Sequence, residues 1–256
     1  MKMQNLTLIL STGRTGTQFF ETYLSESGKN ILCLHEPKPS RKFKFYSNKL
    51  LAGKHIENKI NNNYFDSRPK YLEGYADDVK YIESNNFLFG CVPALNLKQK
   101  NIKIVHIVRD PLTYVRSHIN HGFWKGHKRW FAKNTNWLEN IETRRSNDPV
   151  LILLDRWQYV NRIISEYEKT NPYLLIKFED LFLSNENNGL KSLNKICDFI
   201  GIDCLSAETN IHWLSRPKNQ SKNNNWDGNY QFSQKHIEWL TNEADDILNK
   251  WNYKLH

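Results

Sequence analysis

The sequence contains few cysteines and no long apolar segment, and each scarcity argues against particular classes of protein. No run of 18 or more apolar residues is present, so we expect no membrane span. The N-terminal segment lacks a small-residue cleavage site and reads better as a buried strand than as a signal peptide. The four cysteines form no C-x-x-C pair and no zinc-like spacing. We therefore expect reduced, mostly buried thiols in a cytoplasmic protein, with a disulfide between Cys197 and Cys204 as the less favoured alternative.

The overall composition is that of a basic globular protein. Apolar residues make up 39% and charged residues 25% of the 256 residues, which fits a chain with a substantial core and excludes a disordered one. Lysine and arginine number 36 against 27 aspartates and glutamates, a net charge of +9. Such a surface attracts phosphate, sulfate or acidic glycans, but the charge alone identifies no partner. His118, His121 and His127 are close in sequence without the spacing of a metal site.

The first 35 residues predict a βαβ unit. Leu6–Leu10 is a short apolar run typical of a strand that is buried on both faces. After the small-residue loop Ser11–Gly16, apolar residues recur at helical spacing from Thr17 to near Gly28. The next apolar run, Asn30–Leu34, predicts a second strand. We expect these two strands to be parallel and joined by a right-handed crossover.

The alternation of strands and helices continues along the chain. We predict helices at 76–84, Asp148–Lys169, 189–200 and 233–250, and strands at Asn86–Cys91, Lys103–Val108 and Tyr173–Phe178. Residues 38–75, 121–147 and 215–232 show little periodicity and are interpreted as loops. The pattern predicts a single α/β domain over 1–256, with a central parallel sheet of about five strands flanked by helices.

The loop after the first strand is suited to an anion. Its sequence, from Ser11 to Thr17, is S-T-G-R-T-G-T and leads directly into a helix. Backbone N–H groups and the helix N-terminus supply partial positive charge, and Arg14 adds a fork of donors. The loop resembles a phosphate-binding loop but lacks the G-K-[ST] ending of a Walker A motif.

A second arginine motif follows the strand Lys103–Val108. Arg109 leaves this strand, Asp110 and Pro111 open the next helix, and Ser117 lies about two turns along it. In open α/β sheets, ligands bind beyond the carboxyl ends of the strands. The two arginine motifs therefore suggest two separate anionic groups on one nucleotide.

Together the two motifs resemble those of the sulfotransferases that use 3′-phosphoadenosine 5′-phosphosulfate (PAPS). The resemblance extends to the strand-end segment Lys177–Leu181 (K-F-E-D-L) and to the basic loop at 215–232. It implies a fold like that of the P-loop NTPases and transfer of a sulfuryl group from PAPS to an acceptor hydroxyl, without a metal. The loops at 38–75 and 121–147 would then surround the acceptor.

The resemblance also assigns site residues. It implies that the phosphosulfate is bound by Gly13, Arg14, Thr15, Gly16 and Thr17. It implies that Arg109 and Ser117 bind the 3′-phosphate. Lys222 and Trp226 would belong to the loop that closes over the nucleotide.

The segment after the second strand holds two candidates for the catalytic base. The acceptor hydroxyl must lose its proton as it attacks sulfur, so a base should lie opposite the leaving phosphate. His35 and Glu36 end the strand at the expected crevice. In glycan-type members of the family the base is a carboxylate in this region, and in the small-phenol type it is a histidine. We favour Glu36, with His35 as the alternative.

Two other classes of function remain as alternatives. The strand before Arg109 also resembles a Walker B strand with Asp110 as a magnesium ligand, which would indicate a P-loop kinase or NTPase. Against this, the loop lacks G-K-[ST], and a phosphosulfate carries less charge than a triphosphate, so arginine and amides can hold it.

The other class is a nucleic-acid-binding protein, because basic residues alternate with aromatic ones over 38–59. No known nucleic-acid module accompanies this stretch, and we expect no nucleic-acid partner. We expect instead a small-molecule or glycan acceptor, or a lipid headgroup, with the local charge favouring an anionic one.

Overall fold

Five strands form one parallel sheet in the computed structural model, which describes residues 5–122, 148–215 and 232–255. The strands are β1 (Asn5–Ser11), β2 (Ile31–His35), β3 (Lys80–Ser84), β4 (Lys103–Val108) and β5 (Tyr173–Lys177). Their spatial order is β2-β3-β1-β4-β5, and every neighbouring pair is parallel. The predicted fold class, an α/β protein with a parallel sheet of about five strands flanked by helices, is confirmed.

Helices connect the strands. They are α1 (Thr17–Glu26), α2 (Ser40–Leu51), α3 (Glu57–Ser67), α4 (Val92–Lys98), α5 (Pro111–Asn120), α6 (Pro149–Glu166), α7 (Phe178–Phe182), α8 (Glu186–Ile200), α9 (Ala207–Ser215) and α10 (Gln234–Lys250). Short 3₁₀ turns lie at Pro69–Tyr71, Asn86–Leu88 and Tyr167–Lys169. In the part of the chain that the structure describes, no helix has both the length and the apolar character needed to cross a bilayer.

The chain divides into two compact units. The first comprises Met1–Val108 and Ile163–Lys218 and contains the entire five-stranded sheet. The second comprises Arg109–Arg162 and Asn219–His256.

The first unit buries both faces of its sheet. In β1, Leu6, Leu8 and Leu10 alternate with Ile9, and none of the four is more than 1% exposed. Because helices cover both faces, the strand is a continuous apolar run instead of an apolar–polar alternation. The face that carries Ile9 packs against α1 and α8 through the side chains of Phe19, Phe20, Tyr23, Leu24, Leu193, Ile196 and Ile200.

The opposite face of β3 holds a buried ion pair. Arg68 and Glu83 are both 0% exposed, and the guanidinium donates two hydrogen bonds of 2.8 Å to the two carboxylate oxygens. The ring centroids of Phe43 in α2 and Tyr64 in α3 lie 5.4 and 4.6 Å from the guanidinium carbon. The pair and the two rings therefore pack α2 and α3 against this face of the sheet.

In the second unit, aromatic and polar contacts join α6 to α10. The ring centroid of Trp157 lies 6.0 Å from that of Trp251, and its Nε1 donates a 2.8 Å hydrogen bond to the carbonyl of Arg109. Nε2 of His236, in the first turn of α10, lies 2.7 Å from Oδ2 of Asp148, which immediately precedes α6. These contacts join α6 to both ends of α10 and to Arg109, which precedes α5.

The predicted helix at 76–84 and the predicted strand at Asn86–Cys91 are both wrong. The strand is β3, and a single 3₁₀ turn at Asn86–Leu88 follows it. The strand β3 was missed because it contains Glu83. A carboxylate within an apolar run argues against a central strand unless a positively charged partner is known. That partner, Arg68, lies 15 residues earlier.

The interpretation of residues 38–75 as a loop is also wrong, since α2, α3 and a 3₁₀ turn occupy most of this range. In α2 the inner face is narrow: Ser40, Phe43 and Ser47 are its buried residues. A stripe with a single large apolar side chain gives a weak periodic signal, which explains the error.

The cysteines differ in part from the expectation. Cys33 and Cys91 are free and buried, as expected, but Cys197 and Cys204 form a disulfide. The helix α8 ends at Gly201, whose left-handed backbone (φ 83°) reverses the chain. The reversal brings the Cα atoms of the two cysteines to 5.6 Å, within the range for a disulfide.

Candidate active site

The carboxyl end of β1 lies at the switch point of the sheet. After β1 the chain crosses to β2, which lies on one side of β1 in the sheet. The strands β4 and β5 lie on the other side of β1. Ligands of open α/β sheets bind at such points, beyond the carboxyl ends of the strands. The loop Thr12–Gly16, which connects β1 to α1, occupies this position.

The loop has an unusual backbone. Gly13, Arg14 and Gly16 have φ angles of 90°, 58° and 72°, all in the left-handed region. Gly16 is the N-cap of α1 and provides no side-chain cap for the first N–H groups of the helix. Left-handed residues next to a helix N-terminus turn successive N–H groups toward one point, an arrangement that suits an anion.

Ser11, the last residue of β1, is hydrogen-bonded to two residues of this loop. Its Oγ accepts hydrogen bonds from the backbone N–H of Gly13 (3.1 Å) and from Oγ1 of Thr15 (2.7 Å). The same hydroxyl donates to Oδ1 of Asn86 at 2.6 Å. Ser11 and Thr15 are both 0% exposed. The hydroxyl of Thr15, a predicted phosphosulfate ligand, is thus occupied by a hydrogen bond to Ser11. The backbone N–H of Thr15 is the group that remains assigned to the phosphosulfate.

Gly16 is required by its surroundings as well as by its backbone. A Cβ at this position would lie 2.7 Å from Cε2 of Phe182, at the end of α7. The segment K-F-E-D-L that the sequence singled out thus supplies the helix that packs against the loop. Any residue other than glycine would displace this ring or the loop.

Arg14 is the positively charged side chain of the loop. Its burial lowers the pKa of the guanidinium, which nevertheless remains charged at neutral pH because the normal value for arginine is above 12. A half-buried, charged guanidinium in a loop of this shape can bind a phosphate or sulfonate more strongly than an exposed one.

Glu36 directly follows β2 and is held in a strained conformation. Its φ of 46° is left-handed, and its backbone N–H donates to the carbonyl of Ser84 at 3.0 Å. Burial raises the pKa of its carboxyl, although the charges of His35 and Arg41 and a hydrogen bond from Asn86 act in the opposite direction. A carboxylate with a raised pKa is a stronger base than an exposed glutamate.

His35, the alternative base, is anchored differently. Its backbone N–H donates to Oε1 of Glu21 at 3.1 Å. Its Nδ1 is buried and makes no hydrogen bond within the described ranges. The two candidate bases are therefore adjacent, and only Glu36 is hydrogen-bonded to a side chain of the network around the loop.

Sequence reasoning missed Asn86. Its Nδ2 donates to Oε1 of Glu36 at 3.4 Å while its Oδ1 accepts from Ser11. The misassigned strand at Asn86–Cys91 hid this residue, because its true place is just beyond the carboxyl end of β3. A correct assignment of β3 would have identified it as a further strand-end polar side chain.

Arg109 and Ser117 belong to the second unit, where their local geometry is clear. Arg109 Nε donates to Oγ1 of Thr113 at 3.2 Å, and Asp110 caps α5 by accepting from the Thr113 N–H at 2.8 Å. Pro111 begins the helix, as predicted. Ser117 is partly buried two turns along α5. The assignment of Arg109 and Ser117 to the 3′-phosphate stays a prediction.

The remaining predicted ligands, Lys222 and Trp226, lie outside the described residues, as do 123–147 and 216–231 of the predicted loops. Across residues 5–122, 148–215 and 232–255, no group of three or more His, Cys, Asp or Glu side chains is placed to hold a metal ion.

The loop Thr12–Gly16, which we name the anion loop for its suitability to bind an anion, lies at the switch point of a parallel sheet and leads into a helix. This is the arrangement of a P-loop-like α/β protein. The chain belongs to the sulfotransferase family: the sulfotransferase domain matches residues 4–246. A sequence search found no match among curated proteins.

Solved sulfotransferase structures have the same fold. The sulfotransferase domain from the curacin biosynthetic pathway is 14% identical with a TM-score of 0.55, and each chain is covered over 100% of its length. A sulfotransferase from Alicyclobacillus acidocaldarius is 14% identical with a TM-score of 0.56, covering 100% of this chain and 98% of that one. The sulfotransferase STF9 from Mycobacterium avium is 13% identical with a TM-score of 0.55, covering 100% of this chain and 79% of that one.

Family and fold together favour sulfuryl transfer over the kinase and nucleic-acid-binding alternatives.

Proposed function

We propose that this protein transfers a sulfuryl group from PAPS to an acceptor hydroxyl. The observation that carries the proposal is the pairing, within one unit, of an anion loop and a half-buried carboxylate, that of Glu36. Asn86 connects them through hydrogen bonds to Ser11 and Glu36. A loop for the leaving phosphate and a base for the attacking hydroxyl are the two elements that this reaction requires.

The donor would be bound mainly by backbone groups and arginine. The N–H groups of Gly13–Thr17 and the Arg14 guanidinium would hold the 5′-phosphosulfate. Arg109 and Ser117 would hold the 3′-phosphate, which distinguishes PAPS from ATP, and Lys222 and Trp226 would cover the nucleotide. This assignment rests on the family motifs. We propose that no metal is needed, because a phosphosulfate carries less charge than a triphosphate.

In the proposed reaction the acceptor oxygen attacks sulfur in line with the leaving phosphate. A new oxygen–sulfur bond forms, the bond between sulfur and the phosphate oxygen breaks, and the acceptor proton passes to Glu36. The products are a sulfate ester and adenosine 3′,5′-bisphosphate. Arg14 and the loop N–H groups stabilise negative charge that develops on the leaving phosphate, a contribution typically of several kcal/mol.

The acceptor is proposed to be an anionic small molecule or glycan. The helix α2, which follows Glu36 closely in sequence, exposes Arg41, Lys42 and Lys49. Arg41 lies near enough to Glu36 for its charge to act on that carboxyl. A negatively charged group beside the reacting hydroxyl would be attracted to these side chains.

Calorimetry and kinetics test the proposal. We expect adenosine 3′,5′-bisphosphate to bind much more tightly than ATP or AMP, and sulfuryl transfer to persist in the presence of a metal chelator. Arg109→Ala should weaken bisphosphate binding by about 10- to 100-fold. Lys191→Ala, which removes an exposed positive charge from α8, is the matched control and should bind normally. The absence of measurable binding of adenosine 3′,5′-bisphosphate would refute the proposal.

Active-site variants test the assigned roles. Arg14→Ala should lower turnover by about 100-fold or more. Glu36→Gln should lower it by a similar factor with nucleotide binding intact. If Glu36→Gln keeps full turnover while His35→Asn is inactive, the base is His35.

A further inference from the structure

We propose that Asn86 is a positioning residue, which orients the carboxylate of Glu36 and ties it to the donor-binding loop through Ser11. The inference rests on the proposed function, because it assigns Glu36 the role of base. It adds a residue that neither of the two sequence motifs contains.

The sheet order explains why Asn86 can make both contacts. The strand β3 lies between β2, which Glu36 follows, and β1, which ends at Ser11. Asn86 comes just after β3, so its side chain lies between the two neighbouring strand ends. The backbone holds this position, since the N–H of Asn85 donates to the carbonyl of Ile9 in β1 at 3.1 Å.

The hydrogen bonds of Ser11 determine which way the Asn86 amide faces. The Ser11 hydroxyl accepts two hydrogen bonds, from Gly13 N and Thr15 Oγ1, and it has a single proton to give. That proton goes to Asn86, so the amide oxygen must face Ser11. The NH₂ group consequently faces Glu36, 3.4 Å from Oε1. The side chain of Asn86 therefore connects the loop after β1, through Ser11, to the carboxylate of Glu36.

The amide donor has a specific electrostatic effect on Glu36. Burial disfavours the ionised carboxyl, and three neighbours favour it: the charges of His35 and Arg41, and the hydrogen bond from Asn86. The carboxyl must be ionised to accept the acceptor proton. Loss of the Asn86 donor should therefore leave fewer molecules with a competent base at a given pH.

Asn86→Asp is the sharpest test, because it changes one atom. The retained oxygen still accepts from Ser11, but the donor toward Glu36 becomes a second carboxyl oxygen. Two carboxyls at this distance titrate as a pair and resist joint ionisation. We expect the acidic limb of the pH profile of kcat to move up by about one pH unit or more.

Asn86→Ala, which only removes the donor, should move the limb in the same direction by less, and it decides the question if Asn86→Asp does not fold. The matched control is Asn96→Ala. Asn96 pairs with Asn171 through two side-chain hydrogen bonds of 3.0 and 3.1 Å, so this variant also loses an amide pair, outside the candidate site. It should leave the acidic limb in place. If Asn86 had only a structural role, its variants would lower kcat equally at every pH, and an unmoved limb would overturn the inference.

A titration of the free protein separates this inference from the proposed function. With carboxyl-¹³C glutamate, the Glu36 signal is identified by its loss in Glu36→Gln, and its midpoint should rise in both Asn86 variants. An unchanged midpoint overturns the inference even if the protein binds adenosine 3′,5′-bisphosphate and transfers sulfuryl groups. Failure of the wild-type protein to do either overturns the proposed function and leaves the titration to be judged by itself.

Discussion

The buried ion pair between Arg68 and Glu83 leads to a stability prediction that can be worked out from its surroundings. Neither residue is exposed, and each carboxylate oxygen receives a guanidinium hydrogen bond of 2.8 Å. Tyr81 and Asn85 donate further hydrogen bonds to the same carboxylate, at 3.0 and 2.7 Å. Burial acts to lower the pKa of Arg68, but the charge and hydrogen bonds of Glu83, with smaller contributions from Tyr64 and Tyr81, together outweigh burial and raise that pKa. Each charge therefore depends on the other.

Removal of either partner should cost about 3–5 kcal/mol, because it leaves an uncompensated charge in the core. Glu83→Gln is nearly isosteric, so its cost reports the charge and little lost volume. The remaining partners of Arg68, the carbonyl of Lys38 and the hydroxyl of Ser67, are neutral and cannot replace the carboxylate. This loss is a large share of a typical stability of about 5–15 kcal/mol.

The double variant Arg68→Met/Glu83→Leu should cost no more than either single one, since it leaves no unpaired charge. Urea unfolding followed by tryptophan fluorescence gives each free energy, and the sum of the two single losses should exceed the loss in the double variant by about 3 kcal/mol or more. The matched control is Asp246→Asn in the exposed pair with Arg162, where the loss should stay below about 1 kcal/mol. A Glu83→Gln loss as small as that of the control would refute the reasoning.

Two further predictions concern a glycine and a carboxyl group. Gly16→Ala should destabilise the protein more than Gly53→Ala, because both glycines have φ near 72° but only at Gly16 would a Cβ meet another side chain, that of Phe182. Thermal unfolding of the two variants measures the difference, and equal losses would contradict it. Burial acts to raise the pKa of Asp148, but His236 and two backbone N–H groups outweigh it and lower that pKa. Its stabilisation is therefore present above the ordinary value of about 3.9 and lost as pH falls through the lowered value, so Asp148→Asn should be less stable than the wild type at pH 7, and this difference in unfolding free energy should diminish as pH falls through the lowered pKa.

The elements that sequence predicted well are those whose partners are local or nonspecific. The strands β1 and β2 are apolar runs that any helical layer can cover, and α1 has its apolar residues at helical spacing. Pro111 and Asp110 correctly marked the start of α5, because a proline in the first turn and an N-cap carboxylate act within four residues.

The elements that sequence missed depend on distant partners. The strand β3 carries Glu83, whose burial makes sense only with Arg68 in place. Ser40–Leu51 and Glu57–Ser67 form α2 and α3, which are polar and rich in lysine and asparagine, and Phe43 and Tyr64 pack these helices against that same guanidinium. The Arg68–Glu83 pair thus accounts for the hidden strand, and it adds to the weak periodicity of α2 as a reason why the two helices were missed.

The candidate site shows the same division. A motif and a strand end drew attention to the loop after β1 and to Glu36, and both do follow parallel strands of the sheet, while their roles stay predictions. Asn86 is 75 residues from Ser11 and 50 from Glu36, so no local pattern could reveal the link. Contacts of this range follow only from the strand order.

The conformation of Glu36 is itself an argument for function. A non-glycine residue with φ of 46° and a carboxyl whose pKa is raised by burial each reduce the stability of the folded state. Glycine at this position would relieve the strain of the positive φ, and glutamine would avoid the partial burial of a carboxylate, yet the chain has glutamate there. The surrounding structure nevertheless holds the residue in place, through the carbonyl of Ser84 and the amide of Asn86. A destabilising carboxylate fixed at a strand end near the loop after β1 fits the proton abstraction that we propose for Glu36, whereas a purely structural role would favour the less destabilising residues.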